Sequence, residues 1–175
     1  EFSKAKELLK KELEIHRKSY GSNHIKISWI LSHLANTYKG LRNLKEAEDL
    51  LKQVLKNYEL HYGKDHIETA EILKNLGEIY LLEKQLEKAE IFLQKALEIF
   101  EKCKHPYKFL ILEYLSDAYL NKSKQNNISN TLQQSRIFKA QAIKHLALAL
   151  KSAKNCFPKG STHITRIENK LKTLN

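Results

Sequence analysis

The stretch AKELLKKELEIHRKSYGSNHI, residues 5–25, returns as AEDLLKQVLKNYELHYGKDHI at 47–67 and as AEIFLQKALEIFEKCKHPY at 89–107. The spacing is 42 residues both times. A second block keeps the same register: LSHLANTY (31–38) matches LKNLGEIY (73–80) at 42, and LEYLSDAY (112–119) follows 39 later because the segment from Cys103 to Lys108 is shorter. A fourth, drifted copy starts near Ala140. A fixed period of this size marks structural units that stack on one another to bury a common core.

Within each unit the apolar spacing is helical. Leu31, Leu34, Ala35 and Tyr38 fall at steps of 3, 1 and 3, one stripe of an α-helix, as do Leu73, Leu76, Gly77 and Tyr80. Ala89, Phe92, Leu93, Ala96, Leu97 and Phe100 make the same stripe in the second helix of a pair. Both helices are amphipathic, so each must find a neighbour. The small residue in the first stripe (Ala35, Gly77, Ser116) and the one opening the second helix (Ala5, Ala47, Ala89) let two backbones approach closely.

Composition agrees with this reading. With 5 Gly and 2 Pro in 175 residues there is little material for the turns of a sandwich or barrel, so the chain is expected to be all-α. Two cysteines are too few for a disulfide framework, which points to a reducing, cytoplasmic setting. The longest apolar runs, such as Leu146 to Leu150, fall far short of the roughly 20 residues a membrane span needs. The sequence has no Met and opens on Glu1 and Phe2, a pair that a common restriction site encodes, so it reads as a piece of a larger protein. The expected organisation is about three repeats over 1–121 with the first helix pair incomplete, a polar insertion at 122–135, and a drifted basic repeat with a C-terminal capping helix at 136–175.

The repeats resemble the tetratricopeptide (TPR) family, in a 42-residue form whose YG-x-x-H junctions are similar to those of kinesin light chains. The resemblance spans Ala5 to about Tyr119. Each unit is eight residues longer than the 34-residue TPR, room for about one more turn per helix. It implies a right-handed α-solenoid of antiparallel helix pairs, about eight helices, that binds other proteins and catalyses nothing.

The junctions have local logic of their own. Gly21, Gly63 and Gly160 are placed to end a helix in the left-handed conformation. Asn23, Asp65 and Thr162 then stand where the next helix needs an N-cap, and Asp65 with Glu68 has capping-box spacing. The recurring His24, His66 and His163 follow those caps and are assigned to packing, since each sits in a separate junction and cannot share a metal with the others.

No reaction chemistry stands out. The chain has no Gly-rich phosphate loop, no HExxH and no G-x-S-x-G. Cys103 and His105 lie two residues apart with no third partner indicated, and Cys156 stands alone in another loop. Catalytic residues, metal ligands and cofactors are therefore not expected.

The resemblance directs attention to one side of the first helices. In TPR proteins the side opposite the core stripe lines a groove that takes an extended or helical peptide. Steps of 100° place Trp29, Ser32, His33 and Asn36 there in the first unit. The matching positions are Glu71, Lys74, Asn75 and Glu78 in the second, and Leu110, Glu113, Tyr114 and Asp117 in the third. Asn75 matches a groove asparagine of kinesin light chain repeats, where it would bond a ligand's backbone. Trp29, the one tryptophan, is the natural aromatic anchor, the alternative being that it packs on the preceding helix near Ile15 and Tyr20. The groove charges sum to −3, which favours a basic or neutral peptide.

Net charge tells a different story at the other end. The formal +11 is concentrated in residues 122–175, which hold 11 Lys and Arg and a single acid, Glu168, whereas residues 1–121 hold 20 and 19. A compositional bias explains why Lys outnumbers Arg, but not why the acids thin out after Asp117. Arg136, Lys139, Lys144, Lys151 and Lys154 form a candidate basic surface for RNA or an anionic membrane, with few aromatics to stack on bases. The expected function is peptide or partner capture as an adaptor or scaffold. The alternatives are a regulatory or sensor segment of a larger bacterial signalling or effector protein, and polyanion binding by the basic end.

Overall fold

A computed structural model describes residues 2–21, 24–128 and 132–174. Among them the chain forms eight α-helices and no strand: α1 (Phe2–Tyr20), α2 (Ile25–Gly40), α3 (Leu44–His61), α4 (Ile67–Leu82), α5 (Leu86–Lys102), α6 (Lys108–Ile128), α7 (Leu132–Cys156) and α8 (Thr162–Lys172). The polar stretch after Asn121 is largely helical: α6 runs on to Ile128 and α7 begins at Leu132, so most of its length extends two helices rather than making a loop. It contains neither Gly nor Pro, the residues least tolerated inside a helix.

The chain divides into two compact units, Glu1–Ile79 and Tyr80–Asn175. In the first, α2 packs against both α1 and α3. Its core takes Leu13 from α1, Ile27, Ile30, Leu31, Leu34 and Ala35 from α2, and Ala47, Leu51, Val54 and Tyr58 from α3. In the second, α5 packs on α6, α6 on α7, and α7 on α8. Phe109, Leu112, Leu146, Ala149, Ala153, Ile164 and Ile167 form a cluster there, with Leu97, Leu150, Phe157 and Leu171 around it. The small stripe residues Ala35, Ala47, Ala89 and Ser116 are fully buried, as close helix contact requires. Ala5, in the half-covered α1, is only half-buried.

The junction glycines adopt the left-handed conformation, with φ of 78° at Gly21, 93° at Gly63 and 85° at Gly160. A Cβ would meet nothing there, so backbone conformation rather than space selects glycine. The histidines do more than pack. His24 is the N-cap of α2, and its Nδ1 accepts from the Lys26 backbone N–H at 3.2 Å. His66 accepts from Glu68 N–H at 3.2 Å and His105 from Tyr107 N–H at 3.4 Å. The tyrosines before Gly21 and Gly63 stack on the histidines after them, Tyr20 on His24 at 4.8 Å and Tyr62 on His66 at 4.7 Å. The expected cap Asn23 lies outside the described residues. At α8 the cap is Ser161, one residue before the expected Thr162, and its Oγ accepts from Ile164 N–H. A hydroxyl one position earlier reaches the N3 amide that Thr162, already inside the helix, cannot.

Between α5, α6 and α7 a polar cluster closes the second unit. Lys122 donates to Glu90 Oε2 at 2.5 Å, Tyr119 donates to Glu90 Oε1, and Tyr119 stacks on His145 at 5.2 Å. Burial disfavours the Glu90 charge, but the bonds from Lys122, Tyr119 and Gln94 outweigh it and hold the carboxyl below its ordinary value. Burial, with the Glu90 bond, pushes Tyr119 up to about 12.

Two outcomes are expected. Replacing Ala47 or Ala89 by Leu inserts atoms where none fit and costs about 1–3 kcal/mol, read as a lower melting midpoint, while Ala140→Leu on the exposed side of α7 leaves it unchanged. Because the folded pKa of Glu90 is depressed, its contribution is present above the unfolded value and is lost as pH falls through the folded one. Thermal melts over an acid series should therefore fall more steeply for the natural chain than for Glu90→Gln.

Candidate functional site

Helices α2 and α4 carry the expected groove residues of the first unit. Trp29 is 54% exposed and meets His33 edge to face, with ring centroids 4.2 Å apart. Of the residues in the alternative placement, Ile15 is 64% exposed and Tyr20 stacks on His16 and His24. His33 and Asn36 are exposed and Ser32 is half-buried, along the same side of α2. On α4, Glu71, Lys74, Asn75 and Glu78 are all half-buried.

The acids of this face are already matched. Lys74 pairs with Glu71 three residues away. Lys39, from the last turn of α2, reaches Glu78 Oε2 at 2.7 Å. No pattern in the chain signals the part played by Lys39, because the position 42 residues later is Leu81 and the repeat carries no charge there. The α2 and α4 residues of the face are thus balanced in charge, not acidic.

In the second unit the expected acidic positions meet α8. Glu113 is 3% exposed. Arg166 donates to it through both arms of the guanidinium, Nε to Oε1 at 3.1 Å and Nη2 to Oε2 at 2.6 Å. Lys170 donates to both oxygens of Asp117 at 3.0 and 2.9 Å and lies 3.4 Å from Glu113 Oε1. The hydrogen bond to Glu113 holds the Arg166 pKa above its ordinary value, against the opposing effect of burial. With Leu110 and Tyr114 these side chains line a cavity of about 250 Å³. Glu113 and Asp117, expected as open groove acids, are therefore occupied by the chain's own cations. A charge count confined to first-helix positions of the clear repeats misses this, since α8 lies in the drifted part where register is lost.

The five basic residues Arg136, Lys139, Lys144, Lys151 and Lys154 are all exposed on α7. Lys154 pairs with Glu168 at 3.0 Å. Among the described residues no group of three or more His, Cys, Asp and Glu is placed to hold a metal ion, and no helix is long and apolar enough to cross a membrane. Cys103 and Cys156 are exposed free thiols, and the Cys156 thiol donates to Pro106 O at 3.2 Å.

Arg166→Ala should cost about 2 kcal/mol, because it strips the bidentate partner from a buried carboxylate whose cation is itself half in water. Arg166→Lys should recover only part of this, since an ammonium cannot make the fork. Denaturant unfolding checks both, and the apolar pair Glu113→Leu with Arg166→Met should restore most of the loss.

No curated protein matches the chain. Solved structures do. A protein of Podosopora anserina, provisionally a kinesin light chain with nearly identical TPR-like repeats, is similar over 99% of this chain and 77% of its own, at 19% identity and a TM-score of 0.73. A variant of that same protein gives 19% identity and a TM-score of 0.74 over 99% and 76%. BtubC (BKLC) from P. vanneervenii is 17% identical over 99% of this chain and 65% of its own, with a TM-score of 0.64. These likenesses show a shared fold, the α-solenoid of helix pairs. The tetratricopeptide repeat model matches residues 1–60 and 58–102, more than half of the sequence, and the chain belongs to the tetratricopeptide repeat family.

Proposed function

We propose that this chain is a non-catalytic protein-interaction module that captures a segment of a partner on the α2 and α4 face of its first unit. TPR arrays serve generally as protein-interaction scaffolds, which supports the class of function. The observation that carries the location is Trp29, a large aromatic left 54% exposed beside His33 on a helix that buries Ile27, Ile30, Leu31 and Leu34. An exposed, rigid aromatic contributes contact area at low entropic cost.

The chemistry of the ligand follows from what surrounds Trp29. With Glu71 matched by Lys74 and Glu78 by Lys39, the face offers little net field, so ligand charge discriminates weakly. An apolar or aromatic side chain of the partner stacks on Trp29, and its backbone amides bond Asn36 and Asn75. In the second unit, Arg166 and Lys170 already fill the equivalent role opposite Glu113 and Asp117, which leaves the first unit as the seat of capture.

Affinity capture with the natural chain, Trp29→Ala and Asn75→Ala tests this. The natural chain should retain a set of partners that Trp29→Ala reduces at least about tenfold, as expected for an anchor of about 1.4 kcal/mol or more. Neither side chain belongs to the buried core, so both variants should melt like the parent. An unchanged partner set in Trp29→Ala would remove the assignment.

A further inference from the structure

The outer side of α7 has no place in the capture surface. Ser135, Ala142, Leu146, Ala149 and Ala153 mark its buried side. At 100° per residue, Arg136, Lys144, Lys151 and Lys154 fall within the opposite half of the helix, with exposed Ala140 and Ala147 between them, while Lys139 is exposed nearer the buried side. Its 25 residues contain no Asp or Glu, and the one acid after residue 121, Glu168, is paired with Lys154. Along the same half, Ile137 and Leu148 are nearly half exposed. Lys151 and Leu148 also stand at a cavity of about 400 Å³ that Lys104, in the turn after α5, and Lys108, at the start of α6, also line, with Glu101 3.6 Å from Lys108 as its one acid.

We infer that this face of α7 docks on an anionic phospholipid surface. A helix of 25 residues spans about 37 Å. Alanines at its centre let the flanking lysines reach phosphates together. The cationic side chains supply attraction to anionic headgroups, and Ile137 and Leu148 supply apolar area that enters the interface. The cavity beside Lys151 is large enough for a headgroup, with Lys104 and Lys108 facing it. Single-stranded RNA fits the same surface less well, because base stacking needs exposed aromatics and the one aromatic on α7, Phe138, is half-buried and stacked on Tyr119 at 6.2 Å. An acidic peptide would use the lysines but leave the two aliphatics without a role.

Co-sedimentation with vesicles tests the inference, using phosphatidylserine in phosphatidylcholine against phosphatidylcholine alone. The natural chain should partition only to the anionic vesicles and should leave them as salt is raised. The triple variant Arg136→Glu, Lys144→Glu, Lys151→Glu should lose at least about a hundredfold in partitioning, from roughly one factor of five to ten per neutralised cation. Ile137→Ser with Leu148→Ser, at unchanged charge, should lose about tenfold. All five side chains are exposed, and circular dichroism should show both variants as helical as the parent. Failure of the natural chain to bind anionic vesicles at low salt overturns the inference, as does full binding by the triple variant. Retention of polyuridylate or polyglutamate more tightly than vesicles, with no effect of the serine variant, would instead assign the face to a soluble polyanion and also overturn it.

Discussion

Two amphipathic helices can share a core only if their backbones come close enough for the apolar stripes to interdigitate. Ala47 and Ala89 open the second helices, Ala35 and Ser116 lie in the first, and all four are fully buried. Every longer side chain in the stripe, from Leu51 to Phe100, packs at a distance that those small residues set. The direction of the outer faces follows. Once the alanine side of a helix is committed to its neighbour, Trp29 on α2 and Lys144 on α7 have nowhere to point but outward. Binding surfaces in such a fold are by-products of the packing rule, and their chemistry is free to vary because the core does not depend on it.

Electrostatics adds a second layer that the repeat does not encode. The face of α4 is balanced by Lys39, and that of α6 by Arg166 and Lys170. In each case a cation from a neighbouring first helix is the partner, so a strip of acids that looks strongly charged along one helix becomes neutral across two. The carboxylates work as internal fasteners. On α7 the exposed cations outnumber any acid in reach, which is why the overall charge of +11 describes one helix face better than it describes the molecule.

The fold is legible because its signals are local and repeated: three copies in register, a stripe at helical spacing, glycine where φ must be positive. The exposure of Trp29 and Asn36 is legible for the same reason, since helix periodicity assigns a side to every residue. Three things stay hidden. Histidine as the capping acceptor at His24 and His66 escapes notice because Asn and Asp stand one place earlier and match the usual cap preference. The helical character of most of the polar stretch after Asn121 is masked because polar residues carry no apolar stripe, although the stretch contains neither Gly nor Pro. The Glu113–Arg166 fork is invisible because 53 residues separate its members and no period connects them.

Three turns hold a margin the protein has not used. Arg42, Lys84 and Lys104 sit at φ of 63°, 60° and 51°, a conformation glycine takes freely and side chains adopt at a cost of about 1 kcal/mol. Each follows a helix whose end is closed by the backbone bonds Asn43 to Tyr38, Gln85 to Tyr80 and His105 to Phe100. These bonds keep the strained residues in place, so the strain is carried without being relieved. A lineage under pressure for greater heat resistance could exchange Arg42 or Lys84 for glycine without disturbing the core or either proposed surface. The same exchange at Lys104 would remove a cation from the cavity beside α7. Stability and recognition are therefore free to evolve apart at two of these turns and are tied together at the third.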